Sequence, residues 1–195
     1  MVRRTIDEMI TDRLLLLHSI DKVNQKGKLE NLFKLQKIIF KIQNNLIHKR
    51  IKAINYMFIR WNKGPFSADV SADVDFLTDN NLVTSKKENI KVTKTGELVL
   101  NECSEIFDNN KTILRFFDNV VNDFATKNVD EIKKEIYSLE IFVPKIHKKM
   151  VINDIPIGVP LLFKLADKSA KSEIKIGENW IDTIEELFEI DNWNK

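Results

Sequence analysis

The chain is poor in cysteine, glycine and proline, and these shortages narrow the classes of protein to which it can belong. Cys103 is the only cysteine, so no disulfide framework is expected and a reducing cytosol is the expected compartment. Five glycines and four prolines in 195 residues favour long helices over a sandwich of many short strands. The longest pure apolar run near the N-terminus is Leu14–Leu17, which is too short for a signal peptide or a membrane span. We therefore expect a cytoplasmic globular protein that has no membrane partner.

Sequence signatures of catalysis and metal binding are missing too. Every glycine is isolated, so no phosphate-binding loop is present. No His-Glu-x-x-His or Cys-x-x-Cys spacing occurs, which argues against zinc. His18, His48 and His147 are far apart in sequence and are expected to be packing or surface residues, and Cys103 is expected to be a buried, unreactive thiol. The sequence predicts no enzyme, no catalytic residues, no metal and no cofactor.

The net charge of +2 conceals an uneven distribution. Residues 28–63 carry nine lysines and arginines against one acid, Glu30, whereas residues 173–195 carry seven acids against Lys175 and Lys195. Such asymmetry indicates a basic face for an anionic partner, two faces that meet each other in a homodimer, or ordinary solvated charge.

Helix signals are strongest in the first half of the chain. Thr5 and Glu8 form a capping box for a first helix that ends between Asn24 and Gly27. A second helix is predicted over 29–47, with a wide apolar face and an opposite polar face. A strand is predicted over 56–61, followed by a Gly-Pro turn and a third helix that Ser67 caps.

The order of the elements predicts a winged helix-turn-helix. After the third helix, residues 82–84 and 90–93 are expected to pair as a hairpin, the wing. The predicted fold is thus mainly α (α+β), with a winged-helix domain over 1–104 and a mainly helical C-terminal part over 105–195. That second part is either a separate unit or packed on the first. Helices are expected at 113–124, 129–141 and near the C-terminus, and irregular or strand structure between 142 and 163.

Two motifs resemble a known family. The segments "KLQKIIF" (34–40) and "YMFIRWNKGPFSADVSADVDFLTDNNLV" (56–83) are similar to the phage-associated, antitoxin-like Panacea proteins and their YwgA-type relatives. The likeness covers about residues 10–100. It implies a small, non-enzymatic regulator that works by binding, in a family associated with toxin neutralisation and mobile elements.

Two binding hypotheses follow, and the sequence leaves both open. In the first, the protein contacts DNA phosphates through a basic ridge on the second helix, neighbouring cations and the wing. The residues are Lys34, Lys37, Lys41, Lys49, Arg50, Arg60, Lys86, Lys87 and Lys91. In the second, it is a protein-interaction adaptor or toxin-neutralising module that contacts its partner through Asp69, Asp75, Asp79 and Trp193.

The third helix is acidic although it occupies the place of a recognition helix. From Gly64 to Thr84 there are four aspartates and no lysine or arginine. Val70, Val74 and Leu77 are expected to face the core, which leaves Asp69, Asp75 and Asp79 outside and Asp73 at the flank of the outer surface. Because nothing on this helix offsets phosphate repulsion, we expect that it does not read bases.

Overall fold

Helices dominate the part of the chain that this computed structural model describes, residues 3–86 and 89–189. The helices are α1 (Ile6–Lys26), α2 (Leu32–His48), α3 (Ala68–Asp79), α4 (Lys94–Glu102), α5 (Ser104–Asn109), α6 (Lys111–Phe124), α7 (Val129–Ser138) and α8 (Glu178–Phe188). The strands are β1 (Ile51–Lys52), β2 (Phe58–Trp61), β3 (Gly64–Phe66), β4 (Val83–Lys86), β5 (Asn89–Val92), β6 (Glu140–Val143), β7 (Lys148–Val151), β8 (Pro160–Leu162) and β9 (Ser172–Glu173). The prediction of a mainly α protein with small sheets is confirmed.

The ends of α1 follow from its local sequence. Thr5 Oγ1 accepts a hydrogen bond from the Glu8 amide at 3.2 Å, and Glu8 Oε2 accepts one from the Thr5 amide at 2.9 Å. This is the predicted capping box. The helix ends at Gly27, where a Cβ would stand 2.5 Å from the carbonyl oxygen of Ala125. Gly27 thus lets the end of α1 approach the backbone that follows α6.

Helix α2 begins three residues later than predicted. Asn31 caps it by accepting from the Lys34 amide at 3.0 Å. Leu29 lies before the helix, and its carbonyl accepts a hydrogen bond from the Ile90 amide of β5 at 2.9 Å. The helix packs against α6 and α7, so elements of the second half of the chain cover it.

The two halves of the chain share their sheets. Strands β2 and β3 form an antiparallel hairpin, and β8 from the second half adds to the other side of β2. Strand β9 pairs with β1 in parallel. The sequence around β8, punctuated by prolines, was expected to be irregular or strand, as it is. Residues after 104 therefore pack on the predicted winged-helix part as well as following it in sequence.

Helix α3 and the hairpin after it lie where the sequence placed them. Ser67 caps α3 through its side chain, and the helix ends at Asn80. Strands β4 and β5 pair antiparallel, with Val83 opposite Val92 and Lys86 opposite Asn89. This hairpin follows α3 directly and packs on α1.

The core extends through the described part of the chain. It includes Leu14 and Leu17 of α1, Phe40 of α2, Phe117 of α6 and Phe188 of α8, each nearly or completely buried. Ile184 is also buried, while Trp180 is only partly so. Two of the predicted binding residues, Lys87 and Trp193, lie outside the described residues. None of the described helices combines the length and the apolar character that a membrane crossing requires.

Candidate functional site

The lysines of the basic ridge predicted on α2 are not exposed to solvent. Lys34 and Lys37 are 1% and 2% exposed, respectively, and the side chain of Lys41 is 18% exposed. The expectation that they form an open face for DNA is wrong, because α6, α7 and the β2–β3 hairpin cover this side of the helix.

Lys34 is a structural cation. Its ammonium donates to the carbonyl oxygens of Lys28 at 2.8 Å and Ala125 at 2.9 Å. It also lies 3.0 Å from Glu30, one turn before it in sequence. These contacts tie the start of α2 to the backbone after α6 and satisfy the charge internally.

Two further cations of the predicted interface are engaged inside the protein. Arg60, 7% exposed, donates from Nε to the Ile152 carbonyl at 3.0 Å and from its terminal nitrogen to the carbonyl of Trp61. Lys41 lies 3.5 Å from Glu135 of α7. Neither side chain is available to contact a DNA phosphate.

The exposed cations of the predicted interface lie at opposite ends of α2. Lys49 and Arg50 follow its C-terminus, and the Arg50 Nε donates to the Ser169 carbonyl at 2.8 Å. Lys86 and Lys91 are on the β4–β5 hairpin, which bonds to Leu29 just before the helix begins. The helix between the two pairs is roughly 25 Å long. They do not form a single basic patch.

The two motifs of the family resemblance contact each other. Gln36 forms a reciprocal pair with Ser67, accepting from its amide at 2.9 Å and donating to its carbonyl at 2.8 Å. Lys37 donates to the Pro65 carbonyl at 2.6 Å. The Gln-Lys pair of α2 thus anchors the Gly-Pro-Phe-Ser segment, and with it the entry into α3. Lys37 belongs to the polar face that the sequence pattern assigned to solvent, yet it is buried.

Gly64 makes this junction possible. Its φ of +90° favours glycine, and a Cβ there would stand 2.6 Å from Cε1 of Tyr137 and 3.4 Å from Cε of Lys37. The hairpin can therefore lie directly on the stem of Lys37.

The outer face of α3 is acidic, as expected. Asp75 and Asp79 are exposed, and neither makes an ion pair within residues 3–86 and 89–189. The Asp69 side chain is 45% exposed and lies 3.9 Å from Arg4. Three carboxylates therefore face outward from one helix.

Asp73 is the exception, because it is 1% exposed and does not flank the surface as predicted. Arg4 donates a hydrogen bond to one of its oxygens at 2.6 Å, and the Tyr56 hydroxyl donates to the same oxygen at 3.0 Å. Arg13 donates to the other oxygen at 3.1 Å. These contacts join the buried face of α3 to α1 and to the residues that precede it. The sequence offered no sign of this role, since Arg4 and Asp73 are 69 residues apart.

A second carboxylate completes this polar cluster. Asp12 is fully buried; Arg4 donates to it at 3.1 Å, and Asn55 donates from its backbone at 2.9 Å and from its side chain at 3.1 Å. Burial raises the pKa of Asp12 to about 7 despite the arginine, and it raises the pKa of Tyr56 well above the ordinary value. With both carboxylates shielded from solvent, the cluster holds elements together and offers no open reactive group.

A cleft of about 940 Å³ lies beside this cluster. Arg3, Arg4 and Lys164 contribute positive charge to its lining, and Met9, Met57 and Phe163 contribute apolar surface. Glu8 engages Lys164 at 2.6 Å, and Asp12 and Asp73 engage Arg4. The charges of Arg4 and Lys164 are therefore neutralised from within the protein.

The histidines and the cysteine lie where packing explains them. His18 is 7% exposed and stacks on Phe107 with 4.5 Å between ring centroids, whereas His48 and His147 are exposed. Cys103 is buried, and burial raises the pKa of its thiol to about 12. Among the described residues, no three histidines, cysteines or acids come together in an arrangement that could hold a metal ion.

Comparison with known proteins gives no relative, since no family model, no curated protein and no solved structure matches this chain.

Proposed function

We propose that this protein is an antitoxin-like regulator that acts by binding a protein partner through the acidic outer face of α3. We also propose that residues 1–104 form a winged-helix unit of the Panacea and YwgA type, with the β4–β5 hairpin as its wing. The partner offers a basic surface to Asp69, Asp75 and Asp79. The observation that carries the proposal is the burial of Lys34, Lys37 and Arg60, which removes the centre of the alternative DNA interface.

The construction of α3 supports a contact role. Its inner face is held by apolar packing of Val70, Val74 and Leu77 and by the two arginines on Asp73. Its outer carboxylates are therefore presented on a rigid element, and little ordering is needed when a partner binds. Asp75 and Asp79, which make no ion pair among the described residues, attract an oppositely charged surface and steer its approach. Asp69 adds a third carboxylate to the same face.

Capture of partners by variants tests this proposal. Tagged wild-type protein, Asp75→Asn/Asp79→Asn and the control Glu102→Gln/Glu105→Gln are each used to capture proteins from nuclease-treated lysate of the source cells. Both pairs are exposed and both changes remove two charges. We expect a protein that wild type and control capture equally and that the α3 variant does not capture.

A DNA-binding measurement tests the alternative, in which the protein contacts DNA. Anisotropy with a labelled duplex at low salt measures binding by wild type and by Lys86→Ala/Lys91→Ala. Weak binding that the wing variant abolishes would reflect those exposed lysines alone. Tight, sequence-specific binding that Asp75→Asn/Asp79→Asn impairs would contradict the proposal, since it would place α3 on the bases.

A further inference from the structure

A cavity of about 290 Å³ lies where the two motifs meet, between the first turns of α2 and the β2–β3 hairpin. Its apolar walls include Leu32, Phe33, Trp61 and Phe66. Trp61 is 48% exposed although it is a large aromatic residue. The cavity is close to the lower end of the sizes typical of small-molecule sites, so it suits a single ring with a short arm.

The charged residues of the lining have one sign. Lys37 and Lys63 contribute to the walls, and no carboxylate does. The cavity therefore differs from the larger cleft beside α1, where Arg4 and Lys164 are paired with acids. Its electrostatics favour an anion.

Lys37 has fewer partners than its ammonium can use. An ammonium has three N–H donors; one is directed to the Pro65 carbonyl at 2.6 Å, and the face of Phe33 lies 4.3 Å from Nζ. No other acceptor reaches it within the described residues. A 2% exposed ammonium with one acceptor for its three N–H donors is costly. A carboxylate in the cavity would supply a second acceptor.

We propose that this cavity binds a small aromatic monocarboxylate, with the ring among Phe33, Trp61 and Phe66 and the carboxylate accepting a hydrogen bond from Lys37. The site is independent of the acidic face of α3. Its chemistry combines an aromatic wall with one charge-assisted hydrogen bond.

Binding at this site is coupled to proton uptake. Burial, assisted by Arg60, lowers the pKa of Lys37 to about 7. Lys63 adds positive charge at the cavity wall, and Tyr137 lies against Gly64 on the α7 side. The next lysine of α2, Lys41, is paired with Glu135 and contributes little net charge. A bound carboxylate stabilises the ammonium, so affinity falls as pH rises above 7, by up to about ten-fold per pH unit.

Calorimetric titration with phenylacetate, and with phenylacetamide as its neutral counterpart, tests the site. Phenylacetate is expected to bind more tightly than the amide near neutral pH. At about pH 8 the measured heat should depend on the ionisation enthalpy of the buffer, which reports proton uptake. Lys37→Met should lower phenylacetate affinity by about ten-fold or more, and Trp61→Ala by several-fold. Lys49→Met, which removes an exposed lysine beyond the other end of α2, should leave it unchanged.

Equal affinity for acid and amide, absence of proton uptake, or unchanged binding by a folded Lys37→Met variant would each overturn the proposal, as would no saturable binding of phenylacetate. If Lys37→Met does not fold, the affinity of the Trp61→Ala variant and the proton uptake of the wild type test the proposal instead. Trp61 is 48% exposed, so its replacement should leave the fold intact.

Discussion

Replacing Asp73 with asparagine should destabilise the protein strongly, because its carboxylate joins α3 to α1. The change removes the charge that Arg4 contacts at 2.6 Å and Arg13 at 3.1 Å, and it weakens the acceptor of the Tyr56 hydroxyl. Removing one partner of a buried ion pair costs about 3–5 kcal/mol. The Arg13 side chain is 23% exposed, so water recovers part of that loss, and we expect about 3 kcal/mol. In a chain of this size, that lowers Tm by roughly 6–12 °C.

Thermal and urea unfolding followed by circular dichroism measure this effect, with Asp75→Asn as the matched control. Asp75 lies two residues further along the same helix and is exposed without an ion pair among the described residues. Its substitution should change stability by no more than about 0.5 kcal/mol. An Asp73→Asn variant as stable as Asp75→Asn would refute the assignment of Asp73 as the link between α1 and α3.

Three other predictions concern single buried groups. Burial holds His18 neutral and lowers its pKa to about 4. Because the unfolded chain binds this proton near pH 6.5, about 3 kcal/mol of stability is lost as pH falls from 6.5 to 4. Urea unfolding of His18→Phe over that range should lack this pH-dependent loss of stability. A Cβ at Gly96 would stand 2.2 Å from the Leu82 carbonyl oxygen, so Gly96→Ala should lower the free energy of unfolding by about 2 kcal/mol. Gly177→Ala meets nothing nearer than 3.7 Å and should cost less, because it loses only the preference for glycine over alanine at the N-cap of α8. Cys103 should react with a thiol reagent only when the protein unfolds, because it is buried and its thiol has a pKa of about 12; rapid labelling of the native protein would show that this thiol is accessible.

Signals confined to a few neighbouring residues were sufficient for much of the fold. The Thr5–Glu8 capping box, the Ser67 cap and the hairpin after α3 all form where their sequences predict. Each depends on residues close in sequence, so no knowledge of distant packing was needed.

The expected exposure of individual side chains was wrong where distant segments decide burial. Lys34 and Lys37 recur at helical spacing and resemble a solvated stripe, but Ala125 and Pro65 supply their acceptors from outside the helix. A usable signal was present: apolar residues occupy so much of α2 that a helix buried on most sides was the better inference. Asp73 gave no such signal, because its partner Arg4 precedes the first helix.

Carboxyl labelling of the protein, free and bound to the partner it captures, tests whether the acidic face of α3 is the binding surface. A carbodiimide and an amine tag modify exposed carboxylates, and mass spectrometry compares the free and bound states. Asp75 and Asp79 are expected to become protected in the complex, whereas the labelling of Glu102 and Glu105 should not change. Unchanged labelling of Asp75 and Asp79 in a saturated complex would contradict the proposal, because the partner would then bind elsewhere.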